Sequence, residues 1–295
     1  MAATAAQVKE LREKTGAGMM DCKNALNETN GDMAKAIDWL REKGIAKSLK
    51  KANRIAAEGL TKAVVNGNKA CIVEINSETD FVAKNDQFLK LLDDVANTIL
   101  ASDAKNNEEA LQLTCGGKTL NDLFVEATAT IGEKIVLRRF VVVTKSDAEK
   151  FGAYVHMGGK ISALAVIEGG DDAAAKDMAM QVASMAPQYV SSENMPQDIV
   201  EHEKQIQTEI ANNDESLKNK PEKVLQGIIQ GRVSKSLKDM CLVEQEYFKD
   251  TSKKVGQVLK ETGVTVKSFE RYLVGEGLEK REENFADEVA KQMGN

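Results

Sequence analysis

The sequence is short of the residues from which most enzyme centres are built. Two histidines and four cysteines are spread over 295 residues. Cys22, Cys71, Cys115 and Cys241 form no Cys-x-x-Cys pair, so they outline neither a zinc site nor a disulfide framework. Buried or idle thiols in a reducing compartment are expected. His202-Glu203 begins like a zinc-protease helix, but the residue four after His202 is Ile206, and His202 is expected to be a solvated helix residue. Gly116-Gly117-Lys118-Thr119 has the end of a phosphate loop without its start, because Gln112 stands where the first glycine is required. An enzyme acting on a small molecule through Asp80 and His156 finds no cofactor motif, metal cluster or nucleophile to work with. No cofactor, no metal site and no bond-making chemistry are expected.

Long apolar runs are missing too. None approaches the roughly 18 residues needed to cross a bilayer, and the first residues lack the basic-then-apolar pattern of a secretory signal, so a cytosolic protein without membrane contact is expected. Positive charge is not in excess: 40 lysines and arginines face 46 acidic residues, for a net charge of -6 and a pI near 5.3. General affinity for nucleic acid, which rests on cationic contacts to phosphate, is disfavoured.

What is present fits an α+β protein of two or three domains, with 42% hydrophobic residues to fill their cores. Residues 1–54 read as three short helices with tight turns. Thr4 caps a first helix carrying Val8 and Leu11, the Gly16-Ala17-Gly18 turn leads into a second, and Asp32 caps a third with Met33, Ile37 and Leu40 at helical spacing. The stretch 43–54 is basic (Lys47, Lys50, Lys51, Arg54) and is expected to be a linker helix to the core. Residues 55–145 begin with a hairpin signal around Asn66-Gly67, continue into a helix with Phe88, Leu91, Leu92, Val95 and Ile99 on one face, and close with a strand over 134–143. The order hairpin, helix, returning strand recurs in 146–190 and 249–276, so two related sheet-and-helix subdomains are expected. Between their halves, 191–248 reads as an inserted antiparallel helical hairpin opened by Pro196 and Pro221, with Ile199, Ile206 and Ile210 facing Val224, Leu225, Ile228 and Ile229. A last helical module is expected over 277–295, with Leu278, Phe285, Val289 and Met293 in register.

One corner of this plan stands out. Ser77-Glu78-Thr79-Asp80-Phe81-Val82-Ala83-Lys84-Asn85 joins a strand to a helix, and Thr79 or Asp80 is placed to cap the helix. Phe81 beside Asp80 suits insertion into a partner, the ring filling an apolar slot and the carboxylate meeting polar groups next to it. On local sequence alone the commoner alternative is that Asp80 caps and Phe81 packs back on the strand. Met19 and Met20 divide in the same way between a contact surface and the small bundle core.

Two runs shift the balance. Thr79-Asp80-Phe81-Val82-Ala83-Lys84, and the run from Leu11 through Arg12, Met19, Met20 and Cys22 to Leu26, resemble the two signatures of the bacterial elongation factor Ts family, and the similarity extends along essentially the whole chain. The resemblance implies an amino-terminal domain of ubiquitin-associated type and a guanine nucleotide exchange factor for elongation factor Tu in protein biosynthesis. It implies a cytoplasmic protein whose partner is that GTPase in its GDP-bound or nucleotide-free form. It also assigns partner contacts to Thr79, Asp80, Phe81, Val82, Arg12, Met19, Met20 and His156, and to the arm at 191–248 a possible homodimer contact. At His156 the turn reads Met157-Gly158-Gly159-Lys160 and departs from the histidine-glycine pair common in relatives. The competing reading is an RNA- or ribosome-binding factor that uses the basic stretch 43–54.

Overall fold

The computed structural model describes residues 3–218 and 220–279. Among them the chain forms two compact units, one drawn from Met1–Val143, Met157–Ile161 and Tyr272–Asn295, the other from Thr144–His156 and Ser162–Arg271.

The first unit opens with three helices, α1 (Ala5–Thr15), α2 (Met19–Glu28) and α3 (Met33–Lys51). Thr4 caps α1 with a reciprocal capping box to Gln7, and Asp32 caps α3 by accepting from Lys35 N at 3.1 Å. Val8, Leu11, Cys22, Ala25, Leu26 and Ala36 make the bundle core, with Met33, Trp39 and Leu40 packed against it. Ile37, expected with that core, is exposed. α3 packs on two sides, against α1 and α2 of the bundle and against the later helix Leu120–Ile131, and Ile37 lines the recess beside that helix.

A β-hairpin follows, β1 (Glu58–Asn66) and β2 (Lys69–Ser77), in register from Glu58 opposite Ser77 to Asn66 opposite Lys69. The connecting residues are therefore Gly67 and Asn68, one place later than Asn66-Gly67, and Gly67 takes the positive φ of 58°. Across the turn Val82–Lys84 the chain enters α4 (Asp86–Leu100). Its buried face is Phe88, Leu91, Leu92, Val95, Ala96, Ile99 and Leu100, and each large side chain there contributes about 1.5–3 kcal/mol by leaving water. Next come α5 (Asn107–Gln112), the short pair β3 (Thr114–Cys115) and β4 (Lys118–Thr119), α6 (Leu120–Ile131) and β5 (Val136–Thr144). The sheet order is β1-β2-β5.

The second unit repeats the plan with β6 (Glu149–His156), β7 (Ile161–Glu168) and α7 (Asp172–Met185). The arm is α8 (Gln197–Asn213) and α9 (Glu222–Asp239), preceded by Pro196 and Pro221 at the cap positions. Its apolar seam is thin: Glu203, Ala211, Leu217 and Val233 are buried, whereas Ile210 and Val224 are exposed. Then follow β8 (Glu246–Tyr247), β9 (Asp250–Lys254), α10 (Val255–Thr262) and the returning strand β10 (Thr265–Leu273). The sheet order β10-β7-β6 matches β5-β2-β1 strand for strand, so the internal repeat expected from sequence is present. The pair β8–β9 and the amphipathic α10, with Val255 and Leu259 buried, have no counterpart in the sequence reading.

One ionic cluster ties remote parts of the first unit together. Glu74 of β2, fully buried, accepts from Arg138 Nη1 at 2.8 Å, Arg139 Nε at 2.7 Å and the backbone N–H of Gly275 at 2.8 Å. Arg139 also lies over the Tyr272 ring, 4.2 Å from its centroid. A buried carboxylate persists only where such partners replace its water. Of the terminal positions expected to be helical, Leu278 is exposed, while Phe285, Val289 and Met293 lie outside the described residues.

Candidate functional site

The corner between β2 and α4 is held from below by residues that follow α6. That helix ends at Gly132, whose φ of 92° turns the chain, and Glu133 and Lys134 come next. The Glu133 carboxylate accepts from Thr79 N at 2.9 Å and from the Thr79 hydroxyl at 2.7 Å. Glu78 accepts from Lys134 N at 2.6 Å and pairs with Arg54 at 3.2 Å. The Ser77 hydroxyl donates to Thr79 O at 2.9 Å. Bonds to an ionised acceptor are each worth about 1.5–3 kcal/mol, so this set makes the corner a stiff pedestal.

On that pedestal the side chains alternate between anchor and display. Val82 and Ala83 are buried in the core cluster that includes Phe88 and Leu91. Phe81, directly before them, is 79% exposed. The alternative in which Phe81 packs back on the strand is thus not realised. Asp80 is partly exposed and pairs with Lys84 at 3.3 Å, and the Lys84 ammonium also stands 5.8 Å from the Phe81 ring centroid. An ion pair this open to water contributes little to stability. The carboxylate is therefore cheaply released to another donor.

Two expectations about this corner need correction. Neither Thr79 nor Asp80 caps α4: the cap is Asn85, which accepts from Gln87 N at 2.8 Å, because the turn Val82–Lys84 intervenes before the helix begins. Val82, placed among the contact residues, faces inward, since a three-residue turn with two core anchors has no freedom to present it. Glu133 and Glu78, which fix the geometry, were not singled out from sequence. The signal was the helix-ending glycine at 132 followed at once by an acid.

The remaining candidates are placed as follows. Arg12 is exposed on α1, and Met19 and Met20, 60% and 63% exposed, lie in the first turn of α2, so neither methionine belongs to the bundle core. His156 ends β6 with its Nδ1 3.1 Å from the Tyr154 hydroxyl. Met157, next in sequence, is exposed and takes a φ of 50°. The basic stretch is largely engaged within the chain: Lys47 pairs with Asp21 at 2.9 Å, Lys51 donates to Gly132 O, and Arg54 pairs with Glu78. Burial first, then the charges of Arg54 and Lys47, lower the Lys51 pKa against the opposing pull of Glu78 and Glu133.

The run 116–119 has a structural role. Gly116 and Gly117, with φ of 59° and 84°, make the turn between β3 and β4, and Thr119 caps α6 by accepting from Asp122 N at 3.1 Å. Among the described residues there is no group of three or more side chains able to hold a metal ion. Nor is any described helix long and apolar enough to cross a membrane. Compared with known families, the chain matches the family model described as Elongation factor TS over residues 78–276, which begins at the corner and runs through the second sheet.

Proposed function

Because the chain belongs to the elongation factor Ts family, whose members exchange guanine nucleotide on elongation factor Tu, we propose that it accelerates GDP release by pushing Phe81 between elements next to the switch region of that GTPase. The observation that carries this reading is the exposed ring of Phe81 set on buried neighbours and a doubly hydrogen-bonded Thr79. A wedge must not yield when it meets its slot, and a pre-formed corner loses little conformational entropy on docking.

A GTPase holds GDP through a bound magnesium ion and through backbone N–H groups around the phosphates. Moving the elements that carry those ligands weakens the nucleotide without making or breaking a covalent bond. Asp80, turned away from Lys84, supplies a carboxylate beside the ring for polar groups exposed by the displacement. Arg12, Met19 and Met20 add binding energy and orientation from the bundle, and the His156–Met157 tip adds a further contact. Reciprocity requires that bound nucleotide weaken this protein on its partner by the same factor, so abundant GTP dissociates the complex.

The test is stopped-flow release of a fluorescent GDP from elongation factor Tu. Phe81→Ala should retain the fold and lose most of the acceleration; an unchanged rate would remove the wedge role. The arm at 191–248 remains a candidate dimer contact, to be read from sedimentation of the chain with and without it. The RNA-binding alternative loses support from the inward pairing of Lys47, Lys51 and Arg54.

A further inference from the structure

The exchange mechanism leaves the basic end of α3 without a task, yet two of its cations, Lys51 and Arg54, converge on the corner that carries Phe81. α3 runs beside α6 in the same sense. Arg41 pairs with Asp122 in the first turn of α6 at 2.9 Å, Gly44 lies against Val125 and Ala129, and Lys51 donates to Gly132 O where α6 ends. About 16 Å of helix thus separates Leu40, on the bundle core, from Lys51 at the foot of the corner.

Gly132, Glu133 and Lys134 bind both sides at once. Toward α3, Gly132 O accepts from Lys51, and the Lys134 ammonium donates to Arg54 O at 3.0 Å. Toward the corner, Glu133 accepts from the amide and hydroxyl of Thr79, and Lys134 N donates to Glu78. Arg54 closes the ring directly, its guanidinium 3.2 Å from the largely buried Glu78 carboxylate. These partners lie between 24 and 81 residues apart in the chain, so local turn geometry does not bring them together. Folding gains little from the two cations. The pair of Arg54 with Glu78 is open to water on the arginine side, and the Lys51 cation is disfavoured by burial and then by the charges of Arg54 and Lys47. What they fix is the direction of the corner relative to the bundle.

We propose that Lys51 and Arg54 are positioning residues for nucleotide exchange: through residues 132–134 they brace the bundle against the corner, so that Arg12, Met19 and Met20 dock and Phe81 enters its slot as one rigid body. This rests on the wedge reading of Phe81. A rigid body engages all at once, so weakening its bundle contacts costs affinity and leaves the rate within the bound complex intact. With a slack brace the bundle docks while the ring stays outside its slot. Bound complexes then release GDP slowly.

Stopped-flow release of a fluorescent GDP from elongation factor Tu, titrated to saturation, separates rate from affinity. The double variant Lys51→Met, Arg54→Met should lower the maximal rate about tenfold without raising the half-saturating concentration. Arg54→Lys, which keeps a cation for Glu78, should recover most of what Arg54→Met loses. In hydrogen exchange of the free protein, amides of 79–85 should exchange about fivefold faster in the double variant than in the unaltered chain. Arg41→Met removes an ion pair of similar exposure between the same two helices and should leave the maximal rate unchanged. An equal loss from Arg41→Met would make the role of Lys51 and Arg54 merely structural and overturns the proposal. So does a full maximal rate in the double variant when Phe81→Ala, measured beside it, is slow. A full rate in Phe81→Ala removes the wedge reading and this proposal with it. Should the double variant fail to fold, Arg54→Met alone carries the same expectation at about threefold.

Discussion

The two sheet-and-helix units share a strand order and differ in the corner that follows the second strand. After β2 the chain takes eight residues to reach α4, and they form a pedestal under an exposed phenylalanine. After β7 only three residues precede α7, and two of them, Gly169 and Gly170, are pressed onto the unit's own surface. A Cβ on Gly169 would stand 2.4 Å from Gly263 O, and one on Gly170 would stand 2.6 Å from Val264 Cγ2. One repeat spends its corner on self-packing; the other leaves it free to meet something else. The two repeats thus differ at a loop, where the backbone has least obligation to the sheet.

The contrast can be broken in measurable ways. Phe81→Ala should reduce the catalysed rate of GDP release from elongation factor Tu by about 100-fold, since aromatic hot spots cost roughly 2–4 kcal/mol on truncation, while the melting temperature stays within about 2 °C. Gly169→Ala should do the reverse. With a φ of 78° and a carbonyl in the way, it should destabilise the chain by about 2–3 kcal/mol in urea unfolding yet leave the exchange rate per folded molecule unaltered. Were Gly169→Ala to slow exchange as Phe81→Ala does, the division of labour between the corners would fall.

Smaller effects sharpen the pedestal argument. Glu133→Ala removes both bonds to Thr79 and should lower the maximal exchange rate about tenfold with a stability loss of about 3 kcal/mol, a combination that a purely structural residue would not produce. Arg12→Ala should raise the half-saturating concentration about fivefold with the maximal rate preserved, as seen by titrating stopped-flow rates. The weakest effect is a pH dependence in the second unit. Burial raises the pKa of Glu270 above the usual carboxylate value, so the folded state binds its proton more tightly than the unfolded state does. Its contribution to stability is full below the unfolded pKa and is lost as pH rises through the folded value. Glu270→Gln should therefore raise the melting temperature by a degree or two at about pH 7 and leave it unchanged near pH 4.

Much of this architecture was legible because local and tertiary demands agree. Thr4 and Asp32 cap where capping rules place them, and the five apolar positions named for α4 are all buried. Periodicity failed where one element serves two neighbours, as with Ile37, and where elements are only two to five residues long, as in β8 and β9. The site was legible in its location and not in its construction. A run such as Thr79-Asp80-Phe81-Val82 states which residues are adjacent, but the split between exposed Phe81 and buried Val82 depends on a turn anchored by Glu133, 54 residues away from Thr79.

The buried carboxylate of Glu74 sets a schedule for biosynthesis. One of its ligands, the Gly275 amide, follows it by 201 residues. At a synthesis rate of ~5–20 residues per second, the acid waits about 10–40 s before that donor exists, and longer before it leaves the ribosome. A nascent chain therefore lacks the last of these donors until residue 275 has been made, so a fragment that ends between residues 139 and 275 holds the buried carboxylate on its two arginines alone.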